Sequence, residues 1–342
     1  MVCGVPSCDG SVHVKDLTYL ANVSMTELRS IVVDVVLKAV NIVAIGVLSR
    51  GTCGLTNCTT RYLMAMAMAD LLVIITDVIL YRISYFVFPA SFLNITPVCS
   101  VLFVLARTTT DYSVWFTVTF TFDRFIAICC QKLKTKYCTA KAAVAILVTT
   151  SILLFLKNIP NYFVLEAGDI VDNISWGCYF NPNCYTDPGW IVFDWFDAVL
   201  NPLLPIVLMM LLNTLTVRHI LMTSRIRKGL IGRKAGDIYS DSEMESRRKS
   251  VILLFAISAS FILLWLVSVI HFFYDKLTRI STDTYKNLEY IIQRIGFMLQ
   301  NLSCCTNTFI YGVTQSKFRE QVKRVVKYPF ISMFRSLHNK IN

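Results

Sequence analysis

Polar and apolar positions along the chain do not follow the pattern of a soluble core. The apolar residues come in seven long blocks separated by short polar segments. One helical crossing of a bilayer needs roughly 20 mostly apolar residues. Backbone amides in lipid must be satisfied within their own segment, so each block is read as a helix. The blocks fall at about 30–48, 62–88, 98–129, 142–160, 190–217, 250–274 and 288–313. The sixth is the most apolar and ends in His271-Phe272-Phe273-Tyr274. The seventh is the weakest, with Glu289, Gln293, Arg294, Gln300 and Asn301 inside it. After it, Phe318, Val322, Val325 and Val326 recur at helical spacing, with Lys317, Arg319, Lys323 and Arg324 between them. That segment reads as a helix lying on the inner leaflet, and no cysteine follows it to carry a palmitoyl anchor. The expected fold is therefore an all-α membrane protein, a seven-transmembrane helix bundle with a short amphipathic eighth helix. Residues 1–27 form an extracellular N-terminus, 28–313 the bundle, 314–330 the amphipathic juxtamembrane helix and 331–342 a cytoplasmic tail.

Composition agrees: of 342 residues, 55% are hydrophobic and only 16% charged, against about 25% charged in soluble domains. Charge placement orients the bundle. The loops after spans one, three and five and the C-terminal tail, with the helix ends facing them, hold 23 of the 33 Lys and Arg residues. The densest clusters are Arg225, Arg227, Lys228, Arg233, Lys234 and Arg247, Arg248, Lys249. The positive-inside rule places that side in the cytoplasm and the N-terminus outside. The net charge of +11 then reflects topology and contact with anionic lipid, and no nucleic-acid partner is expected. The first 27 residues hold no apolar stretch behind a basic start, so no cleaved leader is expected and span one acts as its own insertion signal. Glycosylation triplets at Asn22, Asn94 and Asn173 fall on the outer side, whereas those at Asn57 and Asn301 fall inside or within a span.

Five of the 12 cysteines lie outside: Cys3, Cys8, Cys99, Cys178 and Cys184. Outer thiols can pair, whereas cytosolic ones stay reduced. A bridge from Cys99, at the mouth of span three, to Cys178 or Cys184 would pin the long loop between spans four and five over the bundle, and Cys178 is the preferred partner. Cys3 with Cys8 is a second candidate pair. Cys53 and Cys58 have no His or second Cys pair nearby, which favours free thiols over a metal site.

The ordered polar residues of the spans resemble those of rhodopsin-like (class A) G-protein-coupled receptors over about residues 28–330. Span one has Asn41 and span two has Asp70. Span three has Cys99 at its start and Asp123-Arg124-Phe125 at its end, 25 residues from cysteine to arginine, with Trp115 between. Span five has Pro205, span six Trp265, and span seven Asn307-Thr308-Phe309-Ile310-Tyr311. Two prolines of the family pattern are replaced, by Val267 and Thr308, span four has no tryptophan, and the base of span six carries Arg247 where relatives often carry an acid. Within the family, the chain is most similar to orphan receptors linked to aromatic amino acids or peptides.

The resemblance implies roles for particular residues. Asp70, Ser113, Ser303 and Asn307 would form a polar network around a sodium ion, with Asp70 as its charged ligand; oxygen donors suit a hard cation. No other cofactor is expected. Arg124 would be the G-protein switch, paired with Asp123 at rest and helped by Tyr311 when active. The ligand pocket would open outward among Arg107, Asp111, Asp194, Trp265, His271, Glu289 and Arg294, with Asp197, Trp190 and Trp195 nearby. Acid, base and aromatic groups together suit a small zwitterionic aromatic ligand or a short peptide. The implied partners are that extracellular ligand, a heterotrimeric G protein, arrestin and receptor kinases, in a plasma membrane bilayer. A transporter would predict broken helices and internal repeats, and no repeat is visible. An intramembrane enzyme would need paired carboxylates, metal-spaced histidines or a Ser–His pair, none of which recurs within the spans.

Overall fold

The computed structural model describes residues 41–50, 55–83, 88, 90–171, 173–231, 240–278 and 287–325. The start of span one, Asn22, the Cys3 and Cys8 pair, Cys53, Val326 and the tail lie outside the described residues.

Span one appears as helix α1 (41–49). Span two is α2 (Asn57–Val73), which widens into π-helical turns over Ile74–Ile83. Its N-terminus is set by Thr56, whose hydroxyl accepts from the Thr59 amide at 3.3 Å. Span three is α3 (Thr96–Cys129), with a proline in its first turn, where the missing N–H costs nothing. A short helix α4 (Gln131–Tyr137) follows. Span four is α5 (Ala140–Asn158), capped by Thr139. Span five begins as α6 (Pro188–Ala198), capped by Asp187, and continues as α7 (Leu204–Ile231). Spans six and seven are α8 (Ser240–Thr278) and α9 (Asn287–Thr314). A last helix α10 occupies 316–325. By length and apolarity alone, four stretches among the described residues can cross a membrane: Asn57–Tyr81, Ala140–Val164, Pro188–Arg225 and Ser250–Asp275. Helix α3 carries Arg107, Asp111, Asp123 and Arg124, and α9 carries Glu289 and Arg294. These charges lower their apolarity.

Helix α3 is the axis of the bundle. It packs against α2, α5, α7 and α8, while α9 lies along α8 and touches α2. A core of Leu48, Tyr62, Leu63, Met66, Phe120, Leu253, Ile257, Tyr311 and Phe318 joins spans one, two, three, six and seven at the α10 end. Helices α8 and α9 approach closely at Gly296, where an added Cβ would stand 2.8 Å from Ser268 Oγ. Helix α10 has one apolar contact inward and basic residues outward. Phe318 is buried against Tyr311 with ring centroids 6.0 Å apart, while Lys317, Arg319, Lys323 and Arg324 are exposed.

The replaced prolines leave α8 and α9 running continuously through Val267 and Thr308. The break falls instead in span five. Between α6 and α7 the chain makes a wide turn over Val199–Leu203, with Asn201 extended (φ −151, ψ 110) ahead of Pro202. Proline removes a helix hydrogen bond and clashes with the preceding turn, which locates the break there and not at the buried Pro205, which lies within α7.

At the end of the bundle where α3 begins, four short strands form two antiparallel pairs: β1 (Leu165–Glu166) with β4 (Tyr179–Phe180), and β2 (Asp169–Val171) with β3 (Ile174–Trp176). This hairpin is held to α3 by the Cys99–Cys178 disulfide, by the Gly177 amide donating to the Asn94 carbonyl at 3.0 Å, and by the Thr96 hydroxyl, 2.8 Å from the Gly177 carbonyl. Gly177 has φ +86, a conformation that favours glycine. The bridge thus uses Cys178 and not Cys184.

The structure corrects one glycosylation expectation. Asn94 is 7% exposed, and its side-chain nitrogen, the atom that would carry the glycan, donates to the Phe88 carbonyl at 3.0 Å. It turns inward to close the loop before α3. Asn173 stands exposed at the β2–β3 turn.

Replacing Cys178 by Ser is expected to destabilise the purified protein by about 2–4 kcal/mol, read as a lower unfolding temperature, whereas Cys184→Ser leaves that temperature in place. Equal losses from the two variants would reassign the bridge.

Candidate functional site

Two polar centres sit near opposite ends of α3. At 1.5 Å of rise per helical residue, Arg107 and Arg124 are separated by roughly 25 Å along it.

The first centre, at the Cys99 end of α3, is an open cavity beneath the hairpin. Span two contributes Asp77 and Tyr81, span three Phe103, Arg107 and Ser113, span five Asp194, Asp197 and Asn201, span six Trp265 and Phe272, and span seven Phe297, Gln300 and Asn301. Of the seven expected pocket residues, Arg107, Asp194 and Trp265 line it. Asp111, His271, Glu289 and Arg294 are not among the lining residues, which corrects the expectation for those four. Asp111 is 1% exposed and is consumed by polar partners from spans four and five. His271 Nδ1 lies 3.1 Å from Asp275 Oδ2 on its own helix. Glu289 accepts from the Tyr274 hydroxyl at 3.2 Å.

From the cavity wall inward runs a chain of charges, only some of which the sequence marks as site residues. Arg107 pairs with Asp197 Oδ2. Lys157 Nζ pairs with Asp197 Oδ1 and with Asp111 Oδ2, the latter at 2.6 Å. Asn158 Nδ2 donates to the same Asp111 oxygen at 2.6 Å, and Asn201 Nδ2 donates to Asp111 Oδ1 at 2.5 Å. Lys157 stands near the end of the fourth apolar block. A lysine in an apolar span is itself the signal that a buried acid faces it.

The middle of the bundle holds Asp70, fully buried, whose Oδ1 accepts from Ser113 Oγ at 2.5 Å and whose Oδ2 accepts from Asn307 Nδ2 at 3.0 Å. Ser303 is buried one turn before Asn307. Among the described residues no cation pairs with Asp70, so a carboxylate held by two neutral donors has room in its chemistry for a proton or a small hard cation. Oxygen donors from Asp70 and Ser113 fit such an ion. Beside this network Asn41 grips span seven with both ends of its amide. Its Nδ2 donates to the Cys304 carbonyl at 2.8 Å, and its Oδ1 accepts from the Thr308 hydroxyl at 2.7 Å. The residue in the proline position thus ties span seven to span one.

The second centre, at the opposite end of α3, is the buried pair Asp123–Arg124. Arg124 Nε donates to Asp123 Oδ2 at 3.1 Å, and the guanidinium lies 5.6 Å from the Phe120 ring centroid. The thiol of Cys58 donates to Asp123 Oδ1 at 3.1 Å, a contact the free-thiol reading did not anticipate. Burial pushes the nearby Cys138 thiol up to about 11, so it is a neutral thiol at physiological pH. Tyr311 is buried elsewhere, with its hydroxyl 3.9 Å from Met66 Sδ.

The sequence matches the model of the 7 transmembrane receptor (rhodopsin family) over residues 40–311. The chain belongs to that family. It is therefore a multi-pass membrane receptor of the signal-transducing, G-protein-coupled class, a class of receptors and not of enzymes. The receptor keeps the Cys99–Cys178 bridge, the Asp70 network and the Asp123–Arg124 pair, while Thr308 ties span one to span seven through Asn41.

Removing the Thr308 hydroxyl with Thr308→Val should cost about 1 kcal/mol and somewhat more for the buried amide oxygen it leaves behind. A double-mutant cycle with Asn41→Ala, read as unfolding temperature, should give a coupling energy of similar size; a value near zero would mean that the two side chains do not interact.

Proposed function

We propose that this receptor sits in the plasma membrane with its N-terminus outside, binds a small zwitterionic aromatic molecule or a short peptide in the outer cavity, and activates a heterotrimeric G protein. The single observation that carries the ligand reading is the cavity lining: one guanidinium, Arg107, and the carboxylates Asp77 and Asp194 share a wall with Trp265, Phe272, Phe103 and Tyr81. Opposite charges at separate points over aromatic rings complement a ligand with an acid, an amine and a ring. The Trp265 Nε1 is buried with no hydrogen-bond partner among the described residues, a donor suited to a polar ligand atom.

A ligand shifts a two-state bundle only by binding one state better. Contact at Trp265, deep in span six, would favour the state in which the cytoplasmic ends of spans five and six open. Arg124 would then leave Asp123 for the G protein, and Tyr311 would turn toward the vacated crevice. By reciprocity the G protein tightens agonist binding. Arrestin and receptor kinases would use the same cytoplasmic face. A sodium ion at Asp70, with Ser113, Ser303 and Asn307 around it, would stabilise the resting state through the oxygen donors described above. Asn173 and Asn22 are the proposed glycan acceptors.

Arg124→Ala is expected to abolish agonist-driven nucleotide exchange in reconstituted receptor while surface expression persists; a normally coupling variant would remove Arg124 from the switch. Rising sodium at constant ionic strength should weaken agonist binding several-fold in wild type and leave Asp70→Ala unaffected, as displacement assays would read. The same sodium response in both proteins would place the ion elsewhere.

A further inference from the structure

The buried charge chain contains a lysine that the ligand reading does not use. Lys157 does not line the cavity; its side chain is 8% exposed, and its ammonium bridges two aspartates, Asp111 and Asp197. The four charged members differ sharply in access: Arg107 is 28% exposed at its side chain, Asp197 and Lys157 8%, and Asp111 2%. Arg107 is thus the member of the chain most open to the cavity.

Geometry at Asp197 explains why Arg107 stays open. A carboxylate facing a guanidinium in a dry site normally takes it in a fork, two N–H groups to two oxygens. Here the fork is not made. Arg107 Nη2 meets Oδ2 alone, and Oδ1 is turned to Lys157. Among the described residues that single N–H is the guanidinium's hydrogen bond, out of the five donors an arginine carries. Lys157 is fixed in turn by Asp111, which is itself held by Asn158 from span four and Asn201 from the span-five break. Spans three, four and five therefore act together on one carboxylate.

We propose that Lys157 is a positioning residue for a ligand carboxylate: by drawing Oδ1 of Asp197 toward its own ammonium and sharing that carboxylate's charge, it weakens the hold of Asp197 on Arg107 and leaves the guanidinium able to bind an acid in the cavity. The inference rests on the ligand reading above and narrows it to a ligand whose free carboxylate contributes to binding. When the acid arrives, Asp197 keeps its Lys157 partner, so no buried carboxylate is stranded if Arg107 turns away. Without Lys157, Asp197 holds Arg107 more tightly and competes with the ligand.

The test compares phenylalanine, tyrosine and tryptophan with their carboxamides as probes, reading G-protein activation by the full-length receptor, with surface expression measured in parallel. On wild type the acids should act at roughly tenfold lower concentration than the amides, the size of about one charge-assisted hydrogen bond. Lys157→Gln should weaken the acids by about that factor and leave the amides nearly unchanged, collapsing the ratio toward one, as Arg107→Gln also should; Lys157→Arg should preserve it. If Lys157→Gln does not reach the surface, the charge-balanced pair Lys157→Gln with Asp111→Asn carries the same expectation. Equal weakening of acids and amides would show that Lys157 only supports the scaffold and would overturn the inference while the cavity reading stands. Amides as potent as acids on wild type would do the same. Silence of both series on surface-expressed receptor, or responses that survive both Arg107→Gln and Asp194→Asn, would overturn the ligand reading and this inference together.

Discussion

An ionised side chain in the hydrocarbon of a bilayer costs at least about 2.5–3.5 kcal/mol, and α3 brings four into the bundle. Arg107 and Asp111 lie in its N-terminal half, Asp123 and Arg124 near its C-terminal end, and each has an oppositely charged partner. Asp123 and Arg124 satisfy each other, with Cys58 of span two adding a donor. Arg107 and Asp111 need spans four and five, and Lys157 and Asp197 come from there. The requirement that these charges be matched forces α5 and α6 into register with α3. The cavity is what remains between those matched walls and spans two, six and seven.

The same economy governs the polar groups that are not charged. Asp70 is satisfied by Ser113 and Asn307, and Asn41 by Cys304 and Thr308. These contacts make a continuous polar seam through spans one, two, three and seven, from beneath Ser113 in the cavity wall toward Tyr311. Thr308 closes a hydrogen bond to span one from the position where the family pattern has proline. Span five moves its irregularity to Asn201 and Pro202, and the freed Asn201 side chain is what reaches Asp111. The departures from the family pattern are thus connected: rigid, continuous spans six and seven face a broken span five whose break is tied into the charge chain.

Much of this was legible in the order of residues. Seven apolar blocks, a basic side, a cysteine at the mouth of span three and polar residues at fixed separations each follow from one-dimensional spacing, because helical rise and bilayer thickness convert spacing directly into depth. The Asp123–Arg124 pair was legible for the same reason, since neighbouring residues at a helix end can meet without help from another span. Depth and local contact do not require knowledge of the neighbours.

Which side chains share a site was decided only in three dimensions. Arg107 and Asp111 lie on one helix four residues apart, yet only Arg107 lines the cavity, because Lys157, Asn158 and Asn201 from other spans engage Asp111. Lys157 is the polar end of an apolar block, and only the packing of α5 places it between two aspartates. Asn94 carried an acceptor triplet, but the loop that closes onto α3 buried its amide. The sequence alone determined how deep each residue lies and on which helix, because both depend on counting along the chain. The rotation of each helix about its axis, and so the choice of partner, came from packing and charge pairing among spans that are far apart in the sequence.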